Sequence, residues 1–411
     1  MTCIAFTHAR IVDCTGAEPQ EGVTLVVDGD RIVDIGSGAP PSSAAQVIDC
    51  GGRTIVPGLI DAHVHIGAID VDILEQHRNY TTSHAALKMG RILAETLLQG
   101  FTTVRDAGGC DAGFRQAIED GTVPGPRLLV SNRPLSQTGG HADFRRSTES
   151  EDPLACCSQA GMRSVVADGP DDVRRATREN LRTGADQIKL MASGGAMSPS
   201  DELDTTQYTV PELRAAVEEA TAVGTYVLAH AYSGAAIRNC IEAGVRCIEH
   251  GNLIDEDTAK AMAAAQMYLV PTLSTYELLF RKGADYGIPR RNIDKIGLAH
   301  EKAMEGLSTA YAAGVTIASG SDLLGPLAAH KHRELELKSE VMSPLEVLIA
   351  TTRTNAELMG LADDLGTVEV GKIADLLVVE ADPLTSMSVF ARPDGIPVIM
   401  HDGHLVKNNV L

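Results

Sequence analysis

Residues 97–104, Leu97-Leu98-Gln99-Gly100-Phe101-Thr102-Thr103-Val104, join the end of an apolar helical segment to a short apolar run through one glycine. Glycine readily adopts the left-handed conformation that follows many helices, and the run after it is typical of a buried strand. The same succession recurs at residues 182–190, 222–229, 242–248 and 312–318. Helices that alternate with buried strands predict a parallel sheet.

Three further apolar segments, at residues 54–56, 127–130 and 267–270, bring the number of expected strands to eight. Eight strands alternating with helices close into an α/β fold of the (β/α)8 TIM-like barrel type more readily than they fill an open doubly wound sheet, which is the alternative. The chain has 411 residues. Such a barrel needs about 250 residues, so this length leaves room for additions.

Both ends of the chain have a different pattern. Residues 22–33 alternate apolar and polar side chains between turn residues, and residues 374–379 and 398–406 return to this style. Such alternation predicts antiparallel hairpins. Because neither end is long enough for a core of its own, we expect a small β-sandwich domain formed from both termini. The predicted domains are 1–56 with 365–411 for the sandwich and 57–364 for the barrel.

The composition limits the partners. Lys and Arg number 35 against 55 Asp and Glu, a formal net charge of −20, so nucleic acid and anionic membrane surfaces are expected to be repelled. No apolar run approaches the roughly 18 residues that span a bilayer, and the first residues lack the pattern of an export signal. We therefore expect a cytoplasmic protein with no nucleic-acid or membrane partner. The eight cysteines form no C-x-x-C pattern and are expected to be reduced thiols.

The strongest local signal is Gly58-Leu59-Ile60-Asp61-Ala62-His63-Val64-His65. Side chains two positions apart on a strand point to the same face, which here is expected to be the barrel interior. Catalytic groups of these barrels lie at the carboxyl ends of the strands, where two neutral imidazoles can bind one metal ion. This spacing alone is not specific, because two histidines at i and i+2 occur in many chains.

Other metal-compatible side chains stand at the ends of later strands: Lys189, His230, His250 and Asp322. The histidines have an alternative role as satisfied core residues, and Asp322 as a helix cap. Lys189 is harder to explain structurally, since a buried ammonium is costly without a partner. Burial lowers a lysine pKa, and a neutral amine can react with carbon dioxide to form a carbamate, an oxygen ligand. Six such groups on five strand ends together predict a metal site.

Several stretches carry a family resemblance. Residues 57–65, 102–109, 135–143, 184–195, 229–232, 248–252 and 322–325 resemble the amidohydrolase superfamily, in particular its branch of binuclear-zinc Xaa-Pro dipeptidases (prolidases) and carboxypeptidase-like enzymes. The resemblance covers nearly the whole chain. It is specific for the superfamily and less so for the dipeptidase branch, because neighbouring subgroups share most of these strings.

The resemblance implies two Zn²⁺ ions per subunit, other divalent metals being possible. It implies one zinc held by His63, His65 and Asp322, a second held by His230 and His250, and Lys189, carboxylated by CO₂, between them. It implies a metal-bridging hydroxide that hydrolyses the amide bond of dipeptides, with Xaa-Pro dipeptides as leading substrates. Asp322 is then the catalytic residue that moves the proton to the leaving nitrogen.

Two further residues are expected to contact substrate. His141 lies just beyond the third strand and Tyr232 two residues after His230, and in the similar dipeptidases the matching residues hold the substrate's carboxylate or carbonyl region. Their alternative roles are a solvated loop residue and a barrel wall. Arg105 and Asp106 are expected to form a supporting ion pair.

Other functions stay open on the same fold. The chain could be an amidase for N-acyl amino acids, including xenobiotic amides such as ochratoxin-like substrates, or a cyclic amidohydrolase. A non-enzymatic scaffold is disfavoured, because all six ligand positions are intact. The partners expected are a small-molecule dipeptide or N-acyl amino acid substrate and further copies of the chain in a homo-oligomer.

Overall fold

The computed structural model describes residues 3–149, 160–198 and 201–410. Its strands are β1 (Cys3–Ile11), β2 (Gln20–Asp28), β3 (Arg31–Gly36), β4 (Gln46–Asp49), β5 (Thr54–Pro57), β6 (Leu59–Val64), β7 (Phe101–Asp106), β8 (Arg127–Val130), β9 (Leu135–Ser136), β10 (Val165–Val166), β11 (Ile188–Met191), β12 (Val227–Ser233), β13 (Cys247–Leu253), β14 (Tyr268–Val270), β15 (Thr316–Ile317), β16 (Leu376–Val379), β17 (Val398–His401) and β18 (His404–Asn408).

The helices occupy the segments between the central strands and part of the C-terminal region. They are α1 (Gln76–Asn79), α2 (Thr82–Leu98), α3 (Ala112–Glu119), α4 (Pro170–Arg182), α5 (Val210–Ala222), α6 (Gly234–Ala243), α7 (Glu256–Ala264), α8 (Leu273–Lys282), α9 (Arg290–Ala312), α10 (Arg333–Lys338), α11 (Pro344–Thr351) and α12 (Arg353–Met359), with 3-10 turns at Gly283–Tyr286, Gly325–His330 and Met387–Ala391. In the described residues, no helix combines the length and the apolar character required to cross a bilayer.

The central strands form the predicted barrel. One parallel sheet has the order β10-β9-β11-β12-β13-β14-β15, and a second sheet has the order β6-β7-β8. Backbone hydrogen bonds connect the two sheets on both sides: the Ala62 amide donates to the Ser319 carbonyl at 2.9 Å, and the Asp186 amide donates to the Val130 carbonyl at 2.8 Å. The predicted fold class, a TIM-like barrel with a β domain, is confirmed.

One helix begins and another ends where the sequence signals predict. Thr209 and Glu212 form a reciprocal capping box at the start of α5, with Pro211 in the first turn. The glycine at the end of α6, Gly244, is left-handed with φ of 86°. The start of α5 and the end of α6 are thus fixed by their own sequence.

One strand assignment was wrong. Residues 54–56 were expected to be the first barrel strand, but β5 pairs with β1 and with β16 in the terminal sheet. The first barrel strand is β6, which begins two residues after β5 ends. Gly58 lies between them, and a Cβ there would come within 2.1 Å of the Thr102 hydroxyl. Both strands are fully buried, so apolar periodicity does not reveal where one sheet ends and the next begins.

Both termini contribute to one β domain, as expected, and its strands form a single sheet. Its order is β18-β17-β16-β5-β1-β2-β3, with β4 paired to β1. An apolar cluster packs on it, with buried members from both ends of the chain such as Phe6, Leu25, Ile55, Val378 and Met400. Neither terminal segment contains this core alone, which explains why residues so distant in sequence fold together.

The chain divides into two compact units. One comprises Met1–Asp61, Glu95–Thr103 and His330–Leu411, and the other comprises Ala62–Ala94 and Val104–Ala329. The domain boundaries proposed from the sequence, 1–56 with 365–411 and 57–364, stay a prediction. All six predicted metal ligands belong to the second unit.

A buried ion pair in the first unit gives a stability prediction. Lys331 Nζ lies 3.0 Å from the Asp61 carboxylate, and both side chains are 1% exposed. We expect Lys331→Met to destabilise the fold by about 3–5 kcal/mol, because the carboxylate stays buried after its cation is removed. Denaturant unfolding measures this. The control is Lys260→Met, whose partner Glu256 is exposed and whose cost is at most about 0.5 kcal/mol. Equal effects of the two substitutions would contradict the assignment.

Candidate metal centre

Two histidines and one carboxylate converge at the carboxyl end of β6. His63 and His65 point to the same side of the strand, and their Nε2 atoms are 3.3 Å apart. Asp322 Oδ1 lies 3.5 Å from Nε2 of His63 and 3.3 Å from Nε2 of His65. The Asp322 amide donates to the His63 carbonyl at 2.8 Å, so the backbone itself fixes this meeting of the two chain segments.

The other two predicted histidine ligands close the same cluster. The rings of His250 and His63 are 5.1 Å apart between centroids, and those of His250 and His230 are 4.6 Å apart. Potential ligand atoms of His63, His250 and Asp322 all lie within 4.8 Å of one another. The structure therefore brings together the four histidines and the aspartate that the sequence singled out.

Each of the four imidazoles has one ring nitrogen held by a partner outside the cluster. The contacts are His63 Nδ1 to Glu249 Oε2 at 2.6 Å, His65 Nδ1 to the Gly108 carbonyl at 2.8 Å, His230 Nε2 to the Gly194 carbonyl at 2.9 Å, and His250 Nδ1 to Thr272 Oγ1 at 2.7 Å. A nitrogen that donates to these oxygens leaves the opposite nitrogen with a lone pair. This is the arrangement found around metal-binding histidines.

Burial favours the neutral form of three of these imidazoles, His65, His230 and His250. Desolvation lowers the pKa of His65 to about 3, with the charge of Lys189 acting in the same direction. Desolvation also lowers the pKa of His230 and of His250 well below the ordinary value. Neutral imidazoles whose lone pairs face one another and a carboxylate at 3.3–3.5 Å repel one another unless a cation lies among them. The donor set fits a metal centre.

Lys189, on β11, reaches the same cavity. Its side chain is 1% exposed. Desolvation lowers the pKa of Lys189 to about 8, against the opposing charges of Glu249 and Asp322. A buried amine with this pKa is partly neutral near pH 7 and is therefore nucleophilic.

Backbone strain is concentrated at the site. His250 has φ of 79° and Asp322 has φ of 52°, both in the left-handed region that non-glycine residues rarely adopt. The absence of a side chain at Gly320 lets its backbone lie close to His63, because a Cβ at position 320 would come within 2.6 Å of the His63 Cβ. The ligands are thus held in positions that the surrounding barrel imposes on them.

Sequence reasoning missed the charged pair behind His63. Glu249 uses its second oxygen to accept from Arg105 Nη2 at 2.7 Å, and both side chains are fully buried. Arg105 also donates from Nε to the Ala62 carbonyl at 2.5 Å. The expected Arg105–Asp106 ion pair was wrong, since Asp106 accepts backbone N–H groups of the loop after β7 instead. The sequence signal that could have revealed this pair is Glu249 itself, a charged residue directly before His250 in a buried strand.

His141 and Tyr232 lie beside the ligands, on the cavity side. The ring of His141 stacks on the ring of His230 with centroids 4.2 Å apart. Desolvation lowers the pKa of His141 to about 4, and its Nδ1 has no hydrogen-bond partner among the described residues. Tyr232 accepts a hydrogen bond from Tyr276 at 2.8 Å. Tyr276 was not singled out from the sequence, because it stands on helix α8 rather than at a strand end.

The cavity above the ligands has mostly apolar walls. Side chains of three methionines and several other apolar residues line it: Ile73, Ala142, Phe144, Met162, Met191, Ala196, Met197, Leu279 and Leu324. Its polar groups are the predicted ligands together with His141, Tyr232, Thr275 and Tyr276. The arrangement places titratable and metal-binding groups at the bottom of a pocket suited to an apolar substrate.

The chain is similar to proteins of one family. The model described as the amidohydrolase family matches residues 54–406. An ochratoxinase from Aspergillus niger is 32% identical over 425 residues, which cover 98% of this chain and 87% of that protein.

Solved structures give the same picture. A prolidase in complex with N-methylphosphonate-L-proline is 41% identical with a TM-score of 0.95, over 99% of this chain and 100% of that one. An Xaa-Pro dipeptidase with methionine bound in its active site is 29% identical with a TM-score of 0.90, over 99% and 100% of the two chains.

The contact between Glu249 and His63 generates a prediction. We expect Glu249→Gln to weaken metal binding about 10- to 100-fold, because the neutral amide no longer orients and polarises the imidazole. Competition with a chelator of known affinity measures this. The same chemical change at an exposed position, Glu202→Gln, is the matched control. Unchanged metal affinity in Glu249→Gln, with the fold intact by circular dichroism, would show that the carboxylate plays no part.

Proposed function

The chain belongs to the amidohydrolase family and is a hydrolase of amide bonds, and from this premise we propose that it cleaves Xaa-Pro dipeptides with the help of two divalent metal ions. One observation carries the proposal: four buried histidines and the carboxylate of Asp322 converge on one shared space. Lys189 lines the same cavity. The prolidase-like structures that resemble this chain over its full length support the choice of substrate.

Six residues would hold the metals. His63, His65 and Asp322 would bind one Zn²⁺ ion, and His230 and His250 would bind the second. Lys189, as a carbamate, would supply oxygen ligands to both. When bound, such a pair lowers the pKa of water and acts as a Lewis acid towards the substrate carbonyl.

Proton transfer falls to Asp322. Its carboxylate lies at the cavity floor and is the acidic side chain among the described residues that line this cavity. A carboxylate there can accept the proton of the attacking water and donate it to the departing nitrogen. This second step is required, since an amide nitrogen leaves poorly as an anion.

His141 and Tyr232 would hold the substrate. The Tyr232 hydroxyl would donate to the carbonyl oxygen as negative charge develops on it. The unsatisfied Nδ1 of His141 supplies a further polar contact, for the carboxylate or the carbonyl region. The apolar walls, rich in methionine, would receive the side chain that precedes proline and exclude water around the scissile bond.

A second candidate is the hydrolysis of N-acyl amino acids. The relative named ochratoxinase matches 98% of this chain, so an aromatic or otherwise bulky acyl group is the alternative to an aminoacyl group. Cyclic amides are the third candidate. The expected homo-oligomer and the cytoplasmic location stay predictions, which light scattering and cell fractionation test.

A panel of substrates tests the proposal. We expect Met-Pro and Phe-Pro to give the highest kcat/KM, at least about tenfold above Asp-Pro, because the apolar wall leaves a second carboxylate unpaired. N-acetyl-phenylalanine and N-benzoyl-phenylalanine test the second candidate, and dihydrouracil tests the third. Each rate is compared with that of Asp322→Asn, which is expected to be inactive. Turnover of dihydrouracil alone would rule out the dipeptidase function.

The role of Lys189 is tested by its removal. We expect Lys189→Ala to lose at least about 10²-fold in kcat and to bind fewer than two metal ions, because the shared ligand is lost. Propionate or bicarbonate is expected to restore part of the activity by filling the same space. Lys302→Ala, which removes an exposed lysine, is the control. Full activity and full metal content in Lys189→Ala would contradict the ligand assignment.

A further inference from the structure

A buried lysine of helix α9 holds a segment of the cavity wall by its backbone. Lys295 is 7% exposed. Its Nζ donates to three carbonyl oxygens, those of Gly195 at 2.7 Å, Ser198 at 2.9 Å and Asp201 at 3.0 Å. An ammonium has three protons, so each of them can meet one carbonyl. The Asp201 carboxylate, whose Oδ1 lies 3.7 Å from the same Nζ, supplies the opposite charge.

Asn292, one turn earlier on α9, contacts the same segment. Its Nδ2 donates to the Ala196 carbonyl at 2.9 Å and to the Ser198 carbonyl at 3.2 Å. The two side chains of the helix together therefore bind three of the four carbonyls of residues 195–198.

The Asp201 side chain binds the donors of this segment. Its Oδ1 accepts from the Gly195 amide at 3.2 Å and from the Ser198 hydroxyl. The ammonium of Lys295 thus holds the carbonyls, and the carboxylate holds an N–H and an O–H group. Residues 195–198 belong to no helix or strand, so their buried backbone groups depend on partners of this kind.

The same segment forms part of the substrate cavity. Ala196 and Met197 line the cavity. Met197 also packs against the buried side chains of Met162 and Leu324, which line the cavity as well. Lys295 is not among the described residues that line it, so its effect on a substrate must pass through the segment.

We propose that Lys295 is a positioning residue that determines specificity. By holding the wall formed by Ala196 and Met197, it sets the preference for a large apolar side chain before the scissile bond. The proposal rests on the proposed function, in which the apolar walls receive that side chain.

The reason lies in what the segment must do when the ammonium is removed. Three buried carbonyls lose a donor, and a buried carbonyl without a partner is costly. The backbone then shifts or admits water to satisfy them, and the wall loses its fixed position. A large apolar side chain depends on close contact with this wall, whereas glycine has no side chain that could contact it. The loss therefore falls on substrates with large side chains.

Lys295→Met, which keeps an unbranched side chain and removes the charge, tests the proposal. We expect the ratio of kcat/KM for Met-Pro to kcat/KM for Gly-Pro to fall about tenfold, mainly through a higher KM for Met-Pro, with metal content unchanged. Lys302→Met is the matched control on the same helix, because Lys302 pairs with an exposed glutamate, and it is expected to leave the ratio unchanged. A purely structural role of Lys295 would lower both values equally, and an unchanged ratio would overturn the proposal.

Two further variants keep the test decisive if Lys295→Met folds poorly. Asn292→Ala removes the weaker set of contacts and is expected to lower the ratio about threefold, and an unchanged ratio there also counts against the proposal. Met197→Ala removes a side chain of the wall itself. In that background, adding Lys295→Met is expected to change the ratio by less than about twofold, because the two substitutions affect the same wall. The full loss in both backgrounds would show that Lys295 acts elsewhere.

Hydrogen exchange gives a readout that is independent of turnover. In a peptide that includes residues 194–198, Lys295→Met is expected to speed amide exchange at least about tenfold, and Lys302→Met is not. Unchanged exchange in Lys295→Met contradicts the proposal whatever the enzyme cleaves. A wild-type protein that cleaves no dipeptide contradicts the proposed function instead. The specificity test then uses the ratio for N-benzoyl-phenylalanine over N-acetyl-phenylalanine, with the same expected fall.

Discussion

The site depends on the cost of burying lone pairs that face one another. Four buried imidazoles and the carboxylate of Asp322 are packed so closely that His63 and His65 approach to 3.3 Å between ring nitrogens. In an apolar interior a cation in the shared space would offset this cost, so the donor set fits a metal ion. The hydrogen bonds to the outer ring nitrogens then decide which nitrogen of each ring faces inward. Orientation and affinity are thus two results of the same contacts.

The buried charges behind the histidines are also paired, because an unpaired charge at this depth is costly. Glu249 is fully buried and contacts both His63 and the guanidinium of Arg105. A carboxylate at this depth polarises the imidazole, which favours a cation at the opposite nitrogen, and Arg105 offsets the charge of the carboxylate. The pair is therefore part of the electrostatics of the centre although neither residue lines the cavity. Removing either residue leaves the other buried with its main partner gone, so these two positions are coupled.

Much of the barrel and the ligand set could be predicted, because both depend on short local patterns. A glycine that ends a helix, followed by an apolar run, marks five of the crossovers, and metal-compatible residues that stand at strand ends are visible beside most of those runs. The assignment of β5 to the barrel failed because residues 54–64 are continuously buried, and periodicity cannot distinguish two sheets that follow one another. Glu249 and Tyr276 were missed for another reason. Their importance comes from which residues they touch, Arg105 and Tyr232, and those contacts join segments far apart in sequence.

Strained residues at the site connect the fold with its chemistry. His250, Thr272 and Asp322 all adopt positive φ, a conformation that costs about 1–3 kcal/mol for each residue. Isolated loops would relax out of it, but His250 lies within β13, and Thr272 and Asp322 closely follow β14 and β15. These parallel strands are fixed by the barrel ladder and by bonds such as that from the Asp322 amide to the His63 carbonyl. The barrel's buried core compensates the strain. In return, side chains at these positions leave the strands at angles that regular β geometry does not provide, which lets several of them converge on one small volume.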